Sequence, residues 1–312
     1  MRIVLIGASG FFGGHLLRAL ADDQHQCRVL TRAAVRRSAV DMLPGVQLVQ
    51  ADVYDPEVLA KQFAGADAVV SMAGILNEGS GPANGFQKVH VGLVEGIIEA
   101  CRKTGVTRLL HVSALNAGKG RSHYLKTKGE AEALLRAATD LHVSIFQPSV
   151  IFGRGDSFFN KFADMLGLMP VLPLACPKSR LQPVFAGDVA AVMAASLDDP
   201  MTWAKSYELA GPQSFTLQEL VQWTAKTLGK RRLVIGLPGP LSAALAMVMN
   251  LVPGKPLSWD NYKSLQTDNV SSRNDFAYFH VEPLSVDLVV PDYLTGSIRQ
   301  RRLHKLRRQP RR

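Results

Sequence analysis

The sequence predicts an α/β chain built on a doubly wound parallel sheet, followed by a smaller C-terminal lobe on the substrate side. Three observations carry that expectation. Short apolar runs alternate with helical patterns over about the first 150 residues. A glycine triplet separates the first strand pattern from the first helix pattern. Beyond Pro148 the alternation loosens and prolines and glycines become frequent.

Arg2 to Ile6 is an apolar run suited to a buried strand, and it stops at Gly7-Ala8-Ser9-Gly10-Phe11-Phe12-Gly13. Leu16, Leu17 and Leu20 then recur at helical spacing within His15 to Ala21. A tight strand-to-helix turn needs residues without Cβ where the backbone bends. The free N–H groups and positive dipole end of the following helix suit a pyrophosphate. The spacing is G-x-x-G-x-x-G rather than the commoner G-x-G-x-x-G. The context of strand, turn and helix therefore carries more weight than the glycines, and it makes the unit a Rossmann-type nucleotide site. A turn that binds nothing is the alternative.

Further strands are expected over Cys27 to Thr31, Gln47 to Gln50, Ala66 to Met72, Thr107 to Ser113 and His142 to Gln147. Helices are expected from Pro56 to Phe63, with Asp55 as N-cap, from Phe86 to Thr104 before Gly105, and from His123 to Thr139. After Pro148, helices are expected at Phe158–Leu168, Asp188–Leu197 and Thr216–Leu228; Gln182 to Phe185 and Ser206 to Leu209 would return as strands to the main sheet. The pattern beyond Asp260 is not legible. The expected divisions are a nucleotide-binding domain over 1–150, a mixed lobe over 151–298 and a basic tail over 299–312.

With 47% hydrophobic and 20% charged residues, the 312-residue chain can bury a large core. Cys27, Cys101 and Cys176 have no metal-ligand spacing, so no metal site is expected, and their sparse, odd number suggests a reducing compartment. A strand and motif at the very start leave no room for a signal peptide, which points to the cytoplasm. The net charge of +10 is concentrated in the tail RQRRLHKLRRQPRR: without its eight cations, 28 basic residues face 26 acidic ones. That tail reads either as solvated chain or as a contact to an anionic membrane surface, such as the inner face of the cytoplasmic membrane, or to an acidic partner. Nucleic acid is not expected, because no basic, aromatic-rich fold accompanies it. Leu241 to Val252, between Pro240 and Pro253, is too short to cross a membrane. It reads as a buried helix, or else as one lying at a membrane interface or lining a lipid-like pocket.

Tyr124 and Lys128 stand four residues apart, on one face of the expected helix. An ammonium near a phenol lowers its pKa, which would make Tyr124 a general acid or base near neutral pH. His111 and His123 flank the site in sequence and read as structural or exposed.

These pieces, GASGFFGGHLL, VLTR, Ala51-Asp52-Val53, MAGIL, FQKVHV, RLLHVSALNA and YLKTKGEAE, resemble an extended or atypical short-chain dehydrogenase/reductase of the epimerase/dehydratase type. QPSVIFG, LQPVF and LQTDNV narrow the resemblance to the group that includes the NADPH-binding accessory subunit of respiratory complex I and its bacterial relatives. The resemblance runs from residue 1 to about 270. It implies that Gly7, Ser9, Gly10, Phe11, Phe12 and Gly13 cradle the pyrophosphate. Asp52 and Val53 would touch the adenine, and Ala73 and Gly74 would lie along the nicotinamide ribose. Tyr124 and Lys128 would hold that ribose, with Tyr124 facing the substrate, and Pro148 to Ile151 would pack beside the nicotinamide. Thr31-Arg32 ends the second strand without the acid that binds the 2′-hydroxyl of NAD; a guanidinium suits the 2′-phosphate of NADP instead. NADP(H) is therefore preferred over NAD(H), with Arg36 and Arg37 as helpers.

Two departures bear on activity. The family's third catalytic group is a Ser or Thr at the end of the fifth strand. Ser113 stands close to it, but Leu115 takes the usual hydroxyl position and the gap to Tyr124 is short. His90 replaces the Asn of the long helix. The readings that remain are an oxidoreductase acting on a hydrophobic carbonyl, alcohol or quinone-like substrate, a non-catalytic NADPH-binding accessory protein of a respiratory complex or of quinone metabolism, and a redox-sensing regulator.

Overall fold

The computed structural model describes residues 1–32, 43–78, 85–252 and 256–295. Seven parallel strands form the main sheet: β1 (Arg2–Ile6), β2 (Gln26–Thr31), β3 (Val46–Gln50), β4 (Ala68–Ser71), β5 (Arg108–Val112), β6 (His142–Pro148) and, after shorter strands elsewhere, β11 (Lys205–Leu209). Their order is β11-β6-β5-β4-β1-β2-β3. The order reverses between β1 and β4, where Ile6 lies in register with Ser71. Ligands of doubly wound sheets bind at such a switch point, beyond the strands' C-terminal ends. The expected Rossmann-type architecture is thus present.

Helices cover both faces because the central strands β1, β4 and β5 are buried on both sides. The helix α1 (Phe11–Asp22) buries Leu16, Leu17 and Leu20 with Ile3, Leu5, Val29 and Val70 in one layer. On the other face α2 (Pro56–Phe63) and α3 (Leu93–Thr104) pack Leu59, Phe63 and Ile97 against Val4, Ile6 and Val69. Sequence signals set several helix ends. Asp55 accepts from the N–H groups of Glu57 and Val58 with Pro56 following, and Gly105 closes α3 at φ +73°. The helix α4 (His123–Ala137) starts on Ser122, which accepts from Leu125 N–H.

Three expectations are corrected. The first helix begins at Phe11, not His15, so Phe11 to Gly13 form its first turn. The long helix is not uniform: Gln87–Gly92 is a π-helical turn that runs into α3. The 182–185 segment does not rejoin the main sheet. Its β10 (Val184–Phe185) pairs with β7 (Ile151–Phe152) in a separate two-stranded ribbon, because the chain after β6 is drawn aside: Val150 N–H donates to Asn269 Oδ1 and Ser149 Oγ donates to Gln182 O. By contrast, 205–209 does join the main sheet beside β6.

A third apolar cluster lies around α5 (Phe158–Leu168), β8 (Val171–Leu174), α7 (Leu217–Thr227) and β13 (Leu233–Gly236). A helix over 286–295 closes it with Val286, Val290 and Tyr293. The Tyr293 hydroxyl donates to Asp156 Oδ2 at 2.5 Å, and Asp156 Oδ1 accepts from Phe159 N–H at 2.8 Å.

Arg108 is the most heavily invested buried charge. It is 4% exposed, and its guanidinium donates to the carbonyls of Leu197, His142 and Ser196 and to the hydroxyls of Ser144 and Thr202. Burial holds its pKa down to about 10. An apolar side chain there would leave several carbonyls without donors. Arg108→Leu is expected to lose about 3 kcal/mol or more, read as a lower urea midpoint with nucleotide binding retained at low temperature.

Candidate active site at the switch point

The turn after β1 is shaped by close backbone approaches. Gly7 has φ +86°, and a Cβ there would lie 2.6 Å from Ala73 N. At Gly13 it would lie 2.0 Å from Ala8 O. Each residue therefore lets two backbones meet, the first joining the turn to the segment after β4 and the second seating α1 on the turn. Gly10 differs, since a Cβ there would meet only Gly7 O at 3.6 Å. Gly10 is the N-cap of α1; no side chain caps the helix and its first turn carries no acid. Ser9 and Gly10 are exposed, whereas Phe11 and Phe12 are half-buried. With Ser9 and Gly10 exposed and the first-turn N–H groups free of a side-chain cap, the helix end is electropositive, which fits the pyrophosphate of a dinucleotide.

At the adenine-side edge, Arg32 follows β2 and Asp52 follows β3, both exposed, while Val53 is buried. Asp52 Oδ1 is occupied by Tyr54 N–H at 3.0 Å. Tyr54 collects two cations: Arg32 Cζ lies 5.8 Å and Lys88 Nζ 4.6 Å from its ring centroid. Tyr54 carried no sequence signal, and Lys88 entered only as part of the FQKVHV stretch, with no role assigned. Arg36 and Arg37 lie outside the described residues, as does the tail.

Across the turn, the C-terminal ends of β4 and β5 meet α4. A Cβ on Gly74 would be 3.5 Å from Lys128 Nζ and 3.9 Å from His90 Nε2. Lys128 is buried, and its ammonium donates to Val112 O at 3.0 Å. Burial lowers its pKa to about 8. Tyr124 packs edge-on to His90 and Phe86, with centroids 5.5 and 6.0 Å apart. The expected lowering of the Tyr124 pKa is corrected: burial pushes it up to about 12, so the phenol is protonated near neutral pH. The i, i+4 spacing puts Lys128 on the right helix face, and the ammonium gives one of its three N–H groups to a backbone carbonyl.

Ser113 lies just past the end of β5. Its N–H continues the ladder to Phe146 O at 2.7 Å, and its Oγ is buried without a hydrogen-bond partner. Leu115 is buried and its N–H donates to Pro148 O, so a hydroxyl is missing at that next inward position. Pro148 ends β6 buried, and Ile151 is half-buried in β7. The N-terminus of α4 is capped from a distance: the Asp260 carboxylate accepts from the N–H groups of His123 (2.7 Å) and Tyr124 (3.0 Å). Asp260 lies on α9 (Trp259–Ser264), in the stretch that was unreadable from sequence.

His90 is fixed by two bonds. Ile75 N–H donates to Nε2 at 3.4 Å. Nδ1 lies 2.9 Å from Thr127 Oγ1, whose own proton goes to His123 O, so Nδ1 carries the ring hydrogen. Burial and then the Lys128 charge lower its pKa to about 3. His111 is buried with neither ring nitrogen paired and is likewise held well below its usual value, by burial first. Both rings stay neutral when folded, but they take up protons below about pH 6.5 once unfolded. The unfolded state then binds more protons, so stability falls as pH drops from 6.5 towards 3. Urea midpoints at pH 7 and pH 5 should differ in that sense, and less so in His90→Asn.

A family model described as NAD(P)H-binding matches residues 7–157, which contain the turn, Lys128 and Tyr124. The ceramide reductase of Caulobacter vibrioides is 30% identical over 242 residues, covering 76% of this chain and 74% of that protein. The chain belongs to this NAD(P)H-binding family. Another relative is the mitochondrial NADH dehydrogenase [ubiquinone] 1 alpha subcomplex subunit 9 of Mus musculus, 26% identical over 274 residues, 86% of this chain and 71% of that one. In fold the chain is similar to the NADPH-dependent quinone oxidoreductase QOR2 of Escherichia coli, with a TM-score of 0.73 at 18% identity over 95% of this chain and 99% of that one. The oxidoreductase-like family and its nicotinamide cofactor are therefore as the sequence motifs implied.

Proposed function

We propose that the protein is an NADP(H)-dependent reductase of a hydrophobic carbonyl or quinone-like substrate. The observation that carries this reading is the cluster of Gly74, Lys128, His90 and Tyr124 beside an open helix entrance at the switch point. The lipid named in the bacterial relative's description agrees with a hydrophobic substrate. Gly7, Ser9, Gly10, Phe11, Phe12 and Gly13 would hold the pyrophosphate, and Val53 and Asp52 would border the adenine. Arg32, with Lys88 across Tyr54, favours a 2′-phosphate. Ala73, Gly74, Pro148 and Ile151 would line the nicotinamide half, where Lys128 holds the ribose hydroxyls.

When bound, the nicotinamide supplies the hydride. Tyr124, protonated because burial raises its pKa, donates its hydroxyl proton to the oxygen of the reduced carbonyl. Ser113 offers a free hydroxyl to the same oxygen. His90 occupies the position of the usual Asn and orients α4 through Thr127. NADPH oxidation with a panel of long-chain carbonyls and quinones, run beside NADH, tests the reading. Turnover with NADPH is expected, and turnover unchanged in Tyr124→Phe would sink it.

A second reading is an accessory NADPH-binding protein of a respiratory complex. The missing hydroxyl at Leu115 favours it, as does the extent of the match to the mitochondrial subunit. It requires tightly retained NADPH that neither exchanges nor is oxidised.

A further inference from the structure

Of the readings the sequence left open for α8 (Gly239–Leu251), a buried helix or one at a membrane interface or lipid-like pocket, the structure removes the first. Only Ser242 and Ala246 are buried, Ser242 Oγ bonding to Leu237 O and Cys176 N–H. Leu241, Met247, Val248 and Leu251 are exposed, Leu251 at 84%. No charged residue interrupts the helix. The parallel pair β8–β13, which leads directly into α8, adds exposed Val171, Leu233 and Ile235, and Leu168 stands 85% exposed just before β8. An apolar surface of this kind on a folded chain calls for a partner.

The charges around it select the partner. Residues 220–259 hold Lys226, Lys230, Arg231, Arg232 and Lys255 and not one Asp or Glu. Lys226 and Arg231 are exposed, and Lys230 reaches the α5 end, its Nζ being 3.3 Å from where a Cβ on Gly167 would lie. The nearest acids in sequence, Glu219 and Asp260, are engaged at helix N-termini, Glu219 by Thr216 N–H and Asp260 by His123 and Tyr124 N–H. Leucine, methionine and valine with cations as the free charges of the stretch form the pattern of a helix lying in the headgroup region of an anionic bilayer. Among the described residues, no helix is long and apolar enough to cross a membrane. A dimer seam would bring these cations face to face with their own copies, which disfavours a second copy of the chain.

We propose that the outward face of α8, with the β8–β13 edge, docks on an anionic phospholipid surface. The docked face leads on to the site. Trp259 N–H reaches Asn250 at the end of α8, and Asp260, the next residue, caps the helix that carries Tyr124. This docking does not depend on the reductase reading, because its readout is binding to lipid.

The test is co-sedimentation of the full chain with phosphatidylcholine vesicles and with vesicles also containing phosphatidylglycerol. Binding to the anionic vesicles, weakened by salt, is expected. In Val248→Glu/Leu251→Glu it should fall by about tenfold or more, since two large apolar side chains leave the bilayer. NADPH affinity of that variant, expected unchanged, shows that it is folded. Vesicle binding as tight in the variant as in the parent, which would assign the attraction to the tail alone, overturns the proposal. So does a dimer in light scattering that the double substitution splits. Turnover failing while lipid binding stands would remove the reductase reading and leave this one.

Discussion

Gly13→Ala is expected to unseat α1 and remove nucleotide binding altogether. The new Cβ would fall 2.0 Å from the Ala8 carbonyl oxygen and 2.4 Å from Ala8 Cα, both backbone atoms that no rotamer change can clear. The helix would have to lift from the strand, opening the layer that buries Leu16, Leu17 and Leu20. Overpacking of this kind costs about 3 kcal/mol or more. The melting temperature should drop by several degrees, and NADPH should no longer protect the fold. Gly10→Ala is the matched control. Its Cβ has 3.6 Å of clearance, so the loss of stability should stay within about 1 kcal/mol, the size of an N-cap effect. NADPH affinity should nevertheless fall about tenfold or more if the pyrophosphate rests on this helix end. Undiminished affinity in Gly10→Ala would place the nucleotide elsewhere.

Tyr124→Phe is expected to reduce turnover by about 100-fold or more while leaving NADPH affinity within a few-fold, since the phenol acts as proton donor. Lys128→Met should instead weaken NADPH binding and turnover together. The substitution removes a buried ammonium that faces Gly74 and is held by Val112 O. Its pKa of about 8 adds a second signature. As pH rises through 8 the ammonium is lost, so NADPH affinity in the parent should decline there, and Lys128→Met should show no such decline. Fluorescence titration of bound NADPH across pH 6.5 to 9.5 measures both.

Much of the main sheet was legible because it is written in local patterns. Apolar runs of strand length, Asp55-Pro56 at one helix start and Gly105 at one helix end each act within a few residues, so periodicity and capping find them. The glycine turn was readable for the same reason, although its division of labour was not. Only the built geometry separates Gly7 and Gly13, where backbones touch, from Gly10, which is open. The Tyr124–Lys128 spacing placed both residues on one helix face, yet it misjudged the electrostatics. The pKa of a phenol depends on what buries it, and Phe86 and His90 come from a different part of the chain. The roles of Tyr54, Lys88 and Asp260 were not legible in the sequence, because their partners lie 22 to 137 residues away.

The amino-acid sequence by itself determined the nucleotide-binding family and the doubly wound parallel sheet, since the glycine turn and the alternation of strand and helix patterns are short-range backbone chemistry. The tertiary structure alone decided that Gln87–Gly92 widens into a π turn and that His90 and His111 are buried neutral. It also decided that α8 turns its apolar side outwards. Burial is a sum over contacts from distant segments, and hydrophobicity along a chain cannot state which of those segments will be there to cover it.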